Sequence, residues 1–138
     1  MIMNTNQKGK LTELNILTYI IKLGYSVSIP FGDKDRYDQI WDINGKLIRV
    51  QIKTASPIDE EVSGIQFSGR SISNGKAHTY TENDIDYFAT YWNEKVYLVP
   101  VNECSHSKKL RFFNNKSHQV NGINWAKDYE VEEVLKKL

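Results

Sequence analysis

Apolar and polar positions alternate with a period of two along residues 37–54, in two runs separated by Asn44-Gly45. The first run reads Tyr37-Asp38-Gln39-Ile40-Trp41-Asp42-Ile43 and the second Lys46-Leu47-Ile48-Arg49-Val50-Gln51-Ile52-Lys53-Thr54. Asn-Gly between alternating runs signals a hairpin, because both central residues of a type I′ turn take positive φ. With those two residues as the loop, Ile43 faces Lys46, and counting back along both strands brings Asp38 opposite Gln51. Directly opposed side chains lie ~4.5–5.5 Å apart at Cβ, and Lys53 is the diagonal neighbour on the same face. Ile48, Val50 and Ile52 take the other face. One hairpin face thus gathers an acid, an amide and an ammonium. An ordinary half-buried strand with its polar side in water shows the same alternation, so the pattern alone does not make this a site.

From Lys10 to Leu23 the period changes to that of an amphipathic helix, closed by Gly24 as a left-handed cap. Leu14, Ile16, Leu17, Ile20, Ile21 and Leu23 form one arc, with Thr12, Asn15, Thr18 and Lys22 on the other side. Glu13 falls near the middle of the arc, where a carboxylate is costly unless a cation, a metal or a proton compensates it. The alternative is that Glu13 lies in the first turn, where it reaches water or favours the helix dipole. Further on, Thr81 and Asp84 have the spacing of a capping box that opens a helix, with Ile85 and Phe88 packing on the sheet. Val131, Val134, Leu135 and Leu138 make a last helical stripe, read as core rather than subunit contact.

Considered together, Glu13, Asp38, Gln51 and Lys53 are the residue types that a magnesium-dependent phosphodiester hydrolase needs. Hard divalent cations take oxygen ligands, which carboxylates and an amide carbonyl supply. Such an ion lowers the pKa of a water and neutralises charge on a scissile phosphate, and a lysine beside it orients the water or screens the phosphate.

At these residues the chain resembles the PD-(D/E)XK nuclease superfamily. Asp38 matches the first acid of the motif, Gln51-Ile52-Lys53 the x-K element, and Glu13 the acid of the preceding helix. The resemblance implies an α/β (α+β) fold with a restriction-endonuclease-like αβββαβ core, a mixed central sheet flanked by helices and a C-terminal helix. Tyr25 to Pro30 would be the first strand, the hairpin the second and third, Thr81 to Tyr91 the second helix and Lys95 to Val101 the fourth strand. Within the superfamily the chain is most similar to small endonucleases associated with group I introns, whose motif carries glutamine at the second acidic position. Lys8-Gly9, the run Tyr80 to Phe88, Tyr97 to Val101 and Gly122 to Ala126 share that likeness. It implies a site-specific double-strand DNA endonuclease acting as a homo-oligomer, a dimer or tetramer, with magnesium or manganese as cofactor. Glu13, Asp38, Gln51 and the Ile52 backbone carbonyl would hold the metal, and Lys53 would stand at the nucleophile. Two departures stand out: Tyr37 replaces the proline, which affects backbone shape only, and Gln51 brings an oxygen without charge.

Composition narrows the picture further. At 138 residues, 40% hydrophobic and 25% charged, the chain is expected to form one domain spanning residues 1–138. Cys104 is the only cysteine, which excludes an internal disulfide and suits a reducing compartment. Without an apolar leader or a membrane-length apolar stretch, the expectation is a cytoplasmic chain with no membrane partner. A net charge of +1 makes any DNA affinity a matter of distribution. Between Cys104 and Lys127 stand Lys108, Lys109, Arg111 and Lys116 with no acid among them. These four, with Lys34, Arg36, Arg70 and Lys76, are the candidate DNA contacts, although a charge run is also what a solvated face looks like. Residues 56–76, rich in Ser and Gly, read either as an added hairpin or as a mobile arm over DNA.

Other chemistries fare poorly: the three histidines lack zinc-site spacing, and no glycine-rich phosphate loop is present. Beside the duplex endonuclease stand two alternatives, a four-way-junction resolvase of the same superfamily and a DNA-binding protein that keeps the fold without catalysis.

Overall fold

The computed structural model describes residues 2–32, 34–115 and 121–138. Helix α1 spans Thr5–Lys22, starting five residues before the expected Lys10. Its apolar period begins only at Leu11, and what sets the earlier start is a capping box: Gln7 N–H donates to Asn4 Oδ1 and Asn4 N–H to Gln7 Oε1, both at 2.9 Å. The early start removes the first-turn reading of Glu13, which now lies mid-helix. Of the predicted apolar arc only Ile16 and Ile20 are fully buried, while Leu14, Ile21 and Leu23 remain exposed.

Strands β1 (Ser26–Ser28), β2 (Gln39–Ile43) and β3 (Lys46–Ile52) follow. Asn44 and Gly45 turn with φ of 55° and 95°, and the β2–β3 ladder runs from Ile43↔Lys46 to Gln39↔Val50, the register counted from sequence. Strands β4 (Ser56–Pro57), β5 (Gly64–Ser68), β6 (Arg70–Ser73) and β7 (Lys76–Thr79) fill the middle of the chain. Then come β8 (Tyr87–Trp92), β9 (Lys95–Pro100), β10 (Ser107–Arg111) and the short helix α2 (Val131–Leu135).

The main sheet has the order β1-β2-β3-β8-β9, with β3 and β8 parallel and the other neighbours antiparallel. One face packs Trp41, Ile48, Val50, Ile52 and Leu98 against Ile16 and Ile20 of α1 and Val131, Val134 and Leu135 of α2. The C-terminal stripe is therefore core, except for Leu138, which is exposed. On the opposite face Phe88, Tyr97 and Val99 pack against Ile65, Phe67 and Leu110 of a second sheet, β10-β5-β4. Strands β6 and β7 pair only with each other, among the described residues.

The helix expected over Thr81 to Tyr91 is not formed. Its capping contacts are present, with Thr81 N–H donating to Asp84 Oδ2 at 2.9 Å and Asn83 N–H to Thr81 Oγ1 at 3.2 Å, but they close a single turn. Asp86 then joins the sheet edge: its N–H donates to the Arg49 carbonyl at 2.9 Å, and its carboxylate accepts the Arg49 N–H at 2.7 Å. The run Tyr87-Phe88-Ala89-Thr90-Tyr91-Trp92 favours a pleated, half-buried surface and pairs with Val50 to Ile52. No helix among the described residues is long and apolar enough to cross a membrane.

Candidate active site

The antiparallel ladder between β2 and β3 ends at Gln39, and the next residue is turned to the site. Asp38 N–H donates to the Val50 carbonyl at 2.8 Å, and Asp38 Oδ2 accepts the Ile52 N–H at 2.9 Å. The carboxylate is thus tied to the strand that carries Gln51 and Lys53. Those two side chains project from β3 on the face opposite Val50 and Ile52, as alternation requires.

Gln51 lies against two acceptors. With its amide nitrogen toward them it donates to the Arg36 carbonyl at 2.7 Å and to Asp38 Oδ2 at 3.2 Å. Turned the other way, its oxygen joins the Asp38 carboxylate and the Arg36 carbonyl with no donor between them, an arrangement of oxygens that a hard cation satisfies. The donor set therefore fits a divalent ion. No three His, Cys, Asp or Glu side chains group to hold a metal among the described residues, so the protein supplies few anionic ligands.

Lys53 Nζ donates to the Arg70 carbonyl at 2.7 Å and stands 5.1 Å from the centroid of the Tyr80 ring. Arg36 stacks on the same ring at 4.4 Å and reaches Asp84 Oδ1 at 3.7 Å. Burial pushes the Lys53 ammonium below its ordinary range, opposed by the attraction of Asp38 and Cys104 and aided by the Arg36 charge. Burial also pushes the Asp38 carboxyl above the ordinary range, against the Ile52 hydrogen bond; Glu13 adds to the rise, while Lys53 and Lys10 oppose it. Two oppositely charged groups are thus held partly out of water, each biased towards its neutral form. Such paired perturbation is common at functional sites, and structural ion-pair networks also produce it.

Glu13 is half-buried on α1 and pairs with Lys10 at 3.4 Å. Its backbone carbonyl accepts from Gln39 Nε2 at 3.3 Å, fixing the helix to the start of β2. The structure thus brings Glu13, Asp38, Gln51 and Lys53 to one end of the hairpin.

The candidate DNA contacts divide. Lys34, Lys76 and Lys109 are exposed, and Arg70 is half-buried beside His106. Arg36 forms a wall of the site. Arg111 is half-buried and donates to Ser63 Oγ at 3.3 Å and Asn115 Oδ1 at 3.2 Å. Lys108, expected to contact DNA, is instead buried: its amine donates to the Glu103 carbonyl at 3.1 Å and lies 4.9 Å from the Tyr129 ring. Alternation along β10 explains this, since Lys108 and Leu110 share the inward face. Lys116 lies outside the described residues.

Sequence reasoning gave no role to Tyr80, the ring beneath both Arg36 and Lys53, or to the Arg70 carbonyl. Neither carried a signal: one is a lone aromatic before a turn, the other a backbone atom.

A family model described as PD-(D/E)XK endonuclease matches residues 3–132. A search of curated proteins finds no match. Among solved structures, that of a bacterial homing endonuclease, I-Ssp6803I, aligns with a TM-score of 0.76 and 21% sequence identity, covering 98% of this chain and 95% of that one. At that identity the likeness establishes a shared fold.

Proposed function

The chain belongs to the PD-(D/E)XK endonuclease family, and from that premise we propose that it is a magnesium-dependent, site-specific double-strand DNA endonuclease. On this reading it is one domain over residues 1–138, works in the cytoplasm and acts as a homo-oligomer, a dimer or tetramer. The observation that carries the reading is the coupling of Asp38 to β3: one 2.9 Å hydrogen bond sets the acid beside the residues that flank Ile52. The fold shared with a homing endonuclease supports cutting at a defined site.

Asp38, the Gln51 amide oxygen and the Ile52 carbonyl would hold the cation, magnesium or manganese, with Glu13 bound directly or through water. When bound, the ion supplies Lewis-acid charge at the scissile phosphate and lowers the pKa of a water. Lys53, held by the Arg70 carbonyl, keeps two further N–H groups to orient the attacking water and to bind a phosphate oxygen. The water oxygen forms a new bond to phosphorus as the bond to one sugar oxygen breaks, and that oxygen takes up a proton. Tyr80 helps hold Lys53 in place by cation–π attraction, while the Arg36 guanidinium on the same ring repels the ammonium and favours its neutral form. Partial burial of the site weakens the screening of these interactions by solvent.

The test is cleavage of a randomised duplex library with magnesium, with EDTA, and with the Asp38→Ala variant, sequencing the ends. Cutting at one recurrent sequence that needs both magnesium and Asp38 is expected. Absence of cutting on long duplexes and on four-way junctions would favour a DNA-binding protein that keeps the fold.

A further inference from the structure

Strands β6 and β7 form a two-stranded ribbon with the register Arg70↔Thr79, Ser71↔His78, Ile72↔Ala77 and Ser73↔Lys76. Asn74 and Gly75, at φ of 52° and 74°, close it as a tight turn, the same device as in the β2–β3 hairpin. Every residue from Ile72 to Thr79 is exposed, and Ile72 is 80% exposed. A lone hairpin is marginal in water, and this one packs no apolar face into either core. Its placement is better explained by a ligand than by the stability of the fold.

The pairing sorts its side chains. Ser71, Ser73, Lys76 and His78 share one face, all able to hydrogen-bond and none acidic, while Arg70, Ile72, Ala77 and Thr79 share the other. No acid stands between Glu61 and Glu82. A two-stranded ribbon of this width fits the major groove of duplex DNA, where short polar side chains and a lysine meet base edges. The base of the ribbon is anchored at the site, since the Arg70 carbonyl accepts from Lys53 Nζ at 2.7 Å. A cavity of about 660 Å³, lined by Lys53, Arg70, Ser71, Ile72, Ala77 and His106, with Ser68 at its edge, opens between the start of the ribbon and Lys53.

Resting on the endonuclease reading, the geometry points to the β6–β7 ribbon as a sequence-reading element that lies in the major groove and presents Ser71, Ser73, Lys76 and His78 to the bases beside the cut. The anchor sets the distance. Four residues at ~3.3 Å each give the ribbon a reach of ~13 Å from Lys53, or about four base pairs at 3.4 Å per step. The bases it reads therefore lie within about four to five base pairs of the scissile phosphate.

The experiment selects duplexes from a randomised library by binding to the full chain, then cuts the selected pool with magnesium and maps the ends. The triple variant Ser71→Ala, Ser73→Ala, His78→Ala should lose base preference at a block of positions near the cut, keeping it elsewhere, with an unchanged melting curve. A second variant, His78→Asn, should change the preferred base at one position in that block. An unchanged preference in both variants would overturn the proposal and leave the endonuclease reading standing. Lost preference only at positions far from the cut would overturn it too. If the selected duplexes are bound but never cut, the endonuclease reading fails instead, and with it the placement beside a cut.

Discussion

The Ile52 N–H donates to Asp38 Oδ2 at 2.9 Å, so the carboxylate and the strand bearing Gln51 and Lys53 move as one piece. The backbone donor fixes the position of the acid, and Lys53 and Lys10 offset part of its charge through space. Its elevated pKa follows from that choice, because burial outweighs a single neutral hydrogen bond.

Replacing Asp38 with Asn should therefore abolish cleavage while raising the melting temperature by a few degrees at pH 7 without metal. A carboxyl whose folded pKa is raised stabilises the fold only while protonated, and that contribution is lost as pH rises through the folded value. The amide oxygen keeps the bond from Ile52, and the uncharged group escapes the burial cost. The advantage of the variant should shrink as pH falls towards the ordinary carboxylate range. Thermal melts of both proteins between pH 4 and 8 measure this, and a variant less stable than the parent at pH 7 would contradict it.

The register that joins Asp38 to Gln51 and Lys53 was legible because Asn44-Gly45 admits one turn type and the alternation admits one face. Helix α1 and the closing stripe were legible from their period. What misled was Thr81 with Asp84, a local capping signal cut off when Asp86 found Arg49 and the aromatic run found β3. That choice depends on a strand nearly forty residues away, which no local pattern carries. The burial of Lys108 was hidden for a related reason: one residue of register in β10 decides which lysine faces water. Arg70 opens β6 and Tyr80 follows β7, so both reach the site through the placement of a ribbon whose docking no local pattern specifies.

Lys53 should be required for cleavage and dispensable for binding: Lys53→Ala should lower the cleavage rate at least ~100-fold and leave the affinity for target duplex nearly unchanged. Since burial lowers its pKa, the rate should fall with rising pH at a point below the ordinary lysine range, as the ammonium loses its proton. Lys53→Arg keeps the charge beyond that range and should remove the alkaline decline, though with a lower maximal rate because the planar fork does not fit an ammonium's place. Rate profiles from pH 6 to 10 distinguish the two.

Gln51→Glu adds a charge to a site with few anionic ligands. It should lower the magnesium concentration for half-maximal cleavage by about tenfold, equivalent to ~1.4 kcal/mol. A second carboxylate facing Asp38 Oδ2 should also raise the Asp38 pKa further, moving the acid limb of the rate profile to higher pH. Titrations with magnesium at pH 7 and 8 read both effects, and unchanged metal dependence would remove Gln51 from the ligand set.

Glu13→Gln separates direct ligation from electrostatics. Glu13 raises the Asp38 pKa through space, so its loss should shift the acid limb to lower pH whatever its other role. If Glu13 also binds the cation, half-maximal cleavage should need more magnesium even well above that limb. A shifted limb at constant magnesium demand would make Glu13 a positioning residue only.

The lysines of β10 provide the last contrast, since neighbours in sequence occupy opposite faces. Lys109 is exposed, and Lys109→Ala should reduce the slope of log affinity against log salt by about one, as the loss of one phosphate contact does. Lys108 is buried with its amine against the Glu103 carbonyl and the Tyr129 ring. Lys108→Ala should leave that slope unchanged and instead destabilise the fold by about 1–3 kcal/mol, because it removes a hydrogen-bonded cation and leaves its partners unpaired. Binding isotherms over a range of salt, run beside denaturant melts, read both variants. A steeper salt effect from Lys108 than from Lys109 would mean that DNA approaches this strand from the side now facing Tyr129.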